Sequence, residues 1–217
     1  SPRKDSVVPG TIVRLIPGSN PPDTMLTEVY EPPFNLPGYT QKAYNPKGID
    51  ADRNGVIWVS FASSGHLASF DRRKCTGPLN GPTATGQHCP EGWTFYTEPL
   101  PQLQGVTDPG SVEASYYTWV DQFDTFGLGA NVPINTGNLS EGLLILKDGQ
   151  WVILRVPYPL GFFTKWLDGR IDDPNAGWKG RGLWATVSTR APFHMEGGRG
   201  TTSKVLKFQL RPDPLAR

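Results

Sequence analysis

The chain of 217 residues carries 21 basic and 20 acidic side chains, so it offers no basic stripe to a nucleic-acid backbone, and it is long enough for one domain or two small ones. Glycine and proline, at 25 and 22 residues, make it turn-rich, while 7 Trp, 7 Tyr and 10 Phe point to an aromatic, packed core rather than disorder. No apolar run approaches the ~20 residues of a membrane span; stretches such as Gly142–Leu146 have strand length.

Strand signals recur from the start of the chain. Thr11–Ile16 alternates and stops at Pro17-Gly18, and Met25–Tyr30 stops at Pro32-Pro33. A short strand from Gly48 runs into the turn Asp52–Gly55, and Val56–Phe61 follows with strong β-branched and aromatic content. Gly65–Asp71 and Gly92–Thr97 complete an antiparallel meander. Between them, residues 76–88 are polar, rich in Gly and Pro, and without strand or helix period.

That segment is flanked by the two cysteines, Cys75 and Cys89. A crosslink closing a loop of about 15 residues contributes roughly 3 kcal/mol in the chain-entropy model, so a disulfide and an oxidising compartment are expected, periplasmic or secreted. Two free thiols are the alternative. The spacing to His88 does not fit a zinc finger, and no Cys-x-x-Cys-His haem motif is present.

Residues 102–139 read as an insertion. Within it Tyr116, Trp119, Val120 and Phe123 fall on one face of a short helix over 113–126. Beyond it, Leu143–Leu146, the Asp148-Gly149 turn and Gln150–Arg155 form a hairpin. Gly182–Val187 repeats the Trp58 strand, and Ser203–Leu210 repeats Gly65–Asp71. A Gly–aromatic strand followed by an alternating strand is the internal repeat of propeller blades. The expected fold is an all-β, partial β-propeller, a single segment with blade-like units at about 10–45, 46–101, 140–160 and 180–214.

Residues 46–61, followed by Gly65–Asp71 and Trp93–Pro101, resemble one blade of the streptogramin (virginiamycin B) lyase-like propellers, including uncharacterised bacterial members. Both have a Gly-Ile strand, an Asp/Asn-Gly turn, an Ile-Trp strand, a strand ending in Asp and one ending near Leu-Pro. The likeness is clear over 46–101 and weaker over 10–33 and 180–214. It implies a closed ring of blades, whereas about four partial blades are legible here. The expected partner is therefore another polypeptide, or the missing blades of a longer precursor.

The resemblance implies a His/Glu pair with magnesium near the propeller axis. His194 and Glu196, two residues apart and so on one face of an extended strand, are the acid–base candidates. The family's Trp-Phe-Thr-Glu strand is replaced by Trp58-Val-Ser-Phe61 and Trp184-Ala-Thr-Val187. Asp50, Asp52 and Asn54 match the front half of a calcium loop, although Phe61 at the twelfth position excludes an EF-hand. A divalent cation, magnesium or calcium, is the cofactor these residues would take. The charged loop from Leu167 to Arg181 offers Arg170, Asp172, Asp173, Lys179 and Arg181 to a ligand, or pairs its own charges. His66, on a strand, reads as structural.

Two functions fit: a binding subunit of a larger assembly, or a lyase-like enzyme opening a small cyclic or ester-linked substrate. Fold alone does not decide between them.

Overall fold

The computed structural model describes residues 8–157, 161–187 and 204–212. They form four antiparallel sheets. The first pairs β1 (Ile12–Ile16) with β2 (Leu26–Tyr30). The second contains β3 (Pro46–Ala51), β4 (Ile57–Phe61), β5 (His66–Phe70) and β6 (Trp93–Thr97). The third contains β7 (Thr118–Asp121), β8 (Val132–Gly137), β9 (Gly142–Lys147) and β10 (Gln150–Arg155). The fourth contains β11 (Leu167–Ile171), β12 (Arg181–Val187) and β13 (Lys204–Phe208). Helical structure among the described residues is limited to short 3-10 turns at Arg72–Lys74, Pro90–Gly92 and Gly177–Gly180.

Within each sheet the strands follow one another in chain order, the up-and-down meander of a propeller blade. The chain is thus all-β, a partial propeller. Central strands are buried on both faces, which is why β9 (Gly-Leu-Leu-Ile-Leu-Lys) reads as a continuous apolar run rather than an alternating one. One core joins Ile134, Leu143 and Ile145 of the third sheet to Leu167, Leu183 and Ala185 of the fourth. A second joins Ile12 and Tyr30 of the first sheet to Val59, Phe61, Phe70 and Trp93 of the second.

The first strands of three sheets, β3, β7 and β11, lie side by side, and glycines set their spacing. A Cβ on Gly48 of β3 would stand 2.3 Å from the Thr118 backbone nitrogen. One on Gly169 of β11 would stand 2.2 Å from the Trp119 ring. Asp50 Oδ2 accepts from the Val120 amide at 2.7 Å, and Gln122 donates to the Ala51 carbonyl at 2.6 Å. Thus β7 is held between two glycines and hydrogen-bonded to β3.

The expected disulfide is present between Cys75 and Cys89, with Cα atoms 5.0 Å apart, and no described cysteine is free. Its loop joins β5 to β6 and reaches back to the first sheet. Gly86 accepts from the Glu31 amide, Gln87 contacts Glu31 and the Phe34 amide, and His88 packs on Tyr30. Beneath it Arg72 binds Glu28 through two nitrogens, both at 2.6 Å, while Tyr30 and Arg14 complete the cage. The Arg72 guanidinium holds the Glu28 carboxyl down at about 2.

The structure corrects the expected helix over 113–126. Thr118 and Val120 are buried and pair with Asn135 and Pro133, so the segment is strand β7 followed by a turn. Its apparent helical face dissolves: Trp119 packs on Gly169, whereas Phe123 is exposed under the Arg53 guanidinium. Residues 102–139 therefore supply β7 and β8 to the third sheet, which spans 118–155. Strand β8 was hidden because it reads Val-Pro-Ile-Asn-Thr-Gly, polar and interrupted by proline. Pro133 pairs only with β7, beyond the reach of β9, so its missing N–H breaks no ladder between β8 and β9. The charged loop from Leu167 likewise begins as strand β11.

Replacing Gly48 by alanine must displace β7, because the atoms a Cβ meets are backbone and cannot rotate away. The expected loss is about 2 kcal/mol or more in urea unfolding. Gly77→Ala, whose nearest neighbour would be 3.9 Å away, is expected to leave the midpoint almost unchanged.

Candidate functional site

The meander gives the array two ends. At one lie the β3–β4, β7–β8 and β11–β12 turns, with the β5–β6 and β9–β10 connections. At the other lie the β4–β5 and β8–β9 turns, together with the connections that pass from sheet to sheet, residues 31–45, 98–117 and 156–166. A pocket of about 490 Å³ opens at this second end. Residues from all three connections and both turns line it, among them Lys42, Tyr44, Ser63, Asp108, Glu113, Tyr116, Leu139 and Phe163.

The 98–117 connection is pinned to the β4–β5 turn. Gly65, at φ 61°, leaves room for Ser111, which a Cβ would meet at 2.3 Å. The Ser111 amide donates to the Ser64 carbonyl at 3.1 Å, and the Glu98 amide to the Gly65 carbonyl at 2.9 Å. Lys42 pairs with Asp108 at 3.2 Å, tying the 31–45 connection to the same strap. On the other side Glu113 is buried and accepts from the Leu139 and Ser140 amides, the Ser140 hydroxyl and the Ala114 amide at 2.5–3.0 Å. Its role is to hold the β8–β9 turn. The Tyr116 and Phe163 rings, 5.6 Å apart, form an aromatic wall.

Among these connections sits a buried polar layer. Glu98 is fully enclosed; its Oε1 accepts from the Ser115 hydroxyl at 2.5 Å and from Asn135 at 2.7 Å, while Oε2 has no partner. Burial pushes its carboxyl up to about 8, with the nearby Glu113 charge adding to the effect, so Glu98 is neutral at pH 7. His66, also buried, lies between Ser64 at 3.1 Å and Gln41 at 3.0 Å, and burial lowers its imidazole to about 4. It is a neutral, structural histidine.

The sequence candidates fall elsewhere. His194 and Glu196 lie outside the described residues. Asp50 is engaged by the Val120 and Ala51 amides, and Asp52 by the Asn54 and Val56 amides in the hairpin turn. Asp50, Asp52 and Asn54 thus shape the β3–β4 turn and its link to β7. No group of three or more His, Cys, Asp or Glu able to hold a metal is found among the described residues. Arg170, Asp172, Asp173, Lys179 and Arg181 occupy the end of the array opposite the pocket, and most of them are occupied locally. Arg170 pairs with Asp168, and Asp172 with Lys207 and the Trp184 indole. Asp173 caps the Asn175 amide, Lys179 lies over the Trp178 ring, and Arg181 donates to the Asp124 carbonyl.

Sequence reasoning passed over Glu98, Glu113 and also Lys47 and Lys165, whose ammonium groups lie near the Tyr116 ring. A weak signal existed in Ser111-Val-Glu113-Ala-Ser115, where polar residues recur with period two and are all buried. The meeting of Lys42, Asp108 and Phe163 left no local trace, because it depends on three separate connections.

The two buried groups give opposite pH slopes. Glu98 keeps its proton in the fold up to about 8 but loses it near 4.5 when unfolded, so stability falls as pH rises through that window. His66 protonates near 6.5 when unfolded and only at about 4 in the fold, so stability rises with pH between those values. They offset each other up to pH 6.5, above which the Glu98 decline stands alone, at up to about 1.4 kcal/mol per pH unit. Glu98→Gln should flatten urea midpoints measured between pH 6.5 and 8. An unaltered slope in that variant would contradict the assignment.

Comparison with known proteins finds no matching family model and no matching curated protein. Among solved structures, the chain is similar to virginiamycin B lyase from Staphylococcus aureus, with TM-score 0.40 and 14% identity over 87% of this chain and 46% of that one. It is also similar to a streptogramin B lyase, with TM-score 0.38 and 14% identity over 87% and 45%. A catalytically inactive virginiamycin B lyase with quinupristin, again from Staphylococcus aureus, scores 0.38 at 14% identity. The chain thus spans about half the length of the solved structures it matches.

Proposed function

We propose that this chain is a binding subunit of an extracytoplasmic β-propeller whose ring is completed by further blade strands. The carrying observation is the first sheet. Strand β1 points Ile12 into the core shared with the second sheet, while Val13 and Leu15, one residue out of phase, are 54% and 56% exposed. A strand apolar on both faces is suited to burial on both faces, as in a blade packed between two others. Among the described residues β1 pairs only with β2, so its other edge is open.

A cleft of about 400 Å³ lies beside that edge, lined by Val13, Leu15, Ile49, Ile57 and Phe70. The second sheet is four strands wide and the first only two, so the cleft is the space that two more strands of the first sheet would fill. The fitting occupant is an apolar antiparallel hairpin, from the same polypeptide or from a second one. The Cys75–Cys89 disulfide supports a periplasmic or secreted location. The lyase-like alternative rests on His194 and Glu196, outside the described residues, and no described feature favours it.

Sedimentation of the purified 217-residue chain should reveal species heavier than its 23.8 kDa mass. Val13→Lys with Leu15→Lys should shift the distribution toward monomer, since both side chains are exposed and dispensable for the internal core. A cooperatively folding 23.8 kDa monomer in the unaltered chain would overturn the proposal.

A further inference from the structure

A cationic aromatic cluster, independent of the strand edges, centres on Tyr116, a residue that also lines the pocket. Tyr116 stands two residues before β7, Lys47 is the second residue of β3, and Lys165 stands two residues before β11. Because these three strands run side by side, their leading ends meet at one place. The Lys47 ammonium lies 6.0 Å from the Tyr116 ring centroid and that of Lys165 5.4 Å from it. Both lysines are exposed, and neither has an ion pair among the described residues.

The neighbouring carboxylates are already engaged. Asp108 pairs with Lys42, Glu113 is saturated by four donors, Asp50 is held by backbone amides, and Asp168 pairs with Arg170. Two ammonium groups therefore share one aromatic ring, with no ion-pair partner for either among the described residues. The same ring lines the pocket together with Phe163, Leu103, Val106 and Val112, and the pocket's 490 Å³ falls within the range that holds small organic ligands.

We propose that the juncture of Lys47, Tyr116 and Lys165 binds the anionic head, carboxylate or phosphate, of a small organic ligand whose apolar body lies in the pocket along Tyr116 and Phe163. The lysines supply charge-assisted hydrogen bonds and the rings supply stacking surface.

Titration of the full chain with phenyl phosphate, benzoate, inorganic phosphate and benzyl alcohol, followed by calorimetry and amide NMR, tests the assignment. At least one of the two aromatic anions is expected to bind, more weakly as salt is raised, and their relative affinity identifies the preferred head. Lys47→Gln and Lys165→Gln should each weaken that binding by about tenfold, and Lys→Arg at either position should restore most of it. Both lysines are exposed, so the folded baseline is retained and is checked by the NMR spectrum. Equal binding of neutral benzyl alcohol, undiminished binding in the double Gln variant, or failure of both aromatic anions to bind would overturn the proposal. Inorganic phosphate binding as tightly as phenyl phosphate would remove the apolar body from it.

Discussion

The arrangement of this molecule depends on how closely β7 is approached from both sides. Gly48 lets β3 lie against the Tyr117–Thr118 backbone, and Gly169 lets β11 lie against the Trp119 ring. Side chains at either position would push the strands apart. Neighbouring sheets would then lose register at their inner edge, where the Asp50–Val120 hydrogen bond also forms. Close approach at the inner edge, with bulkier packing farther out, is what fans consecutive sheets into a propeller. The pocket follows from it, since connections that emerge from closely spaced strands crowd together at one end of the array.

Charge is distributed unequally between the two ends. At the turn-only end, Arg170 pairs with Asp168, Arg181 donates to the Asp124 carbonyl, and Arg53 and Lys179 each lie over a ring of their own. These contacts knit neighbouring turns together. At the pocket end Lys47 and Lys165 converge on a single ring, that of Tyr116. A ring attracts a cation without cancelling its charge, so two like charges are concentrated there and only single ones at the opposite rings. Glu98, enclosed by Ser115 and Asn135, avoids an uncompensated buried charge by keeping its proton.

Much of the fold is legible in the sequence because blade strands are short, apolar and punctuated. The β3–β6 meander can be read from Gly48 to Thr97, and the Asp148-Gly149 turn announces the β9–β10 hairpin. The disulfide is legible because an aperiodic loop between two cysteines has little else to order it. Strands β7 and β8 are not, since aromatic spacing in Tyr116–Phe123 mimics a helix and Pro133 mimics a break. Tertiary pairing overrides both signals. The site is less legible still. His194 and Glu196, the acid–base candidates, and Asp50, Asp52 and Asn54, the cation candidates, are legible because those residue types stand close in sequence. The pocket has no such local signature, being assembled from residues up to 121 positions apart, Lys42 to Phe163.

The reinforcement of the first sheet follows from its width. Two strands alone are marginal in water, and β1 and β2 cover only part of the face that four strands of the second sheet present. Apolar contact is correspondingly limited, and polar and covalent ties take its place. Arg72 reaches across from the second sheet to Glu28, whose carboxylate is almost fully enclosed while the guanidinium remains 35% exposed. Removing Arg72 would leave that carboxylate charged and buried, which makes the pair a strong tie even though burying it brought little net gain. The disulfide loop lies over the same region and closes on Glu31 and Tyr30. By anchoring its own ends at Cys75 and Cys89, it reduces the entropy lost when Gly86 and Gln87 dock on the first sheet. A sheet of four strands buries enough apolar surface to hold its own shape; in this two-stranded sheet the ties gather on Glu28, Tyr30 and Glu31, at and just beyond the end of β2, and take the place of that burial.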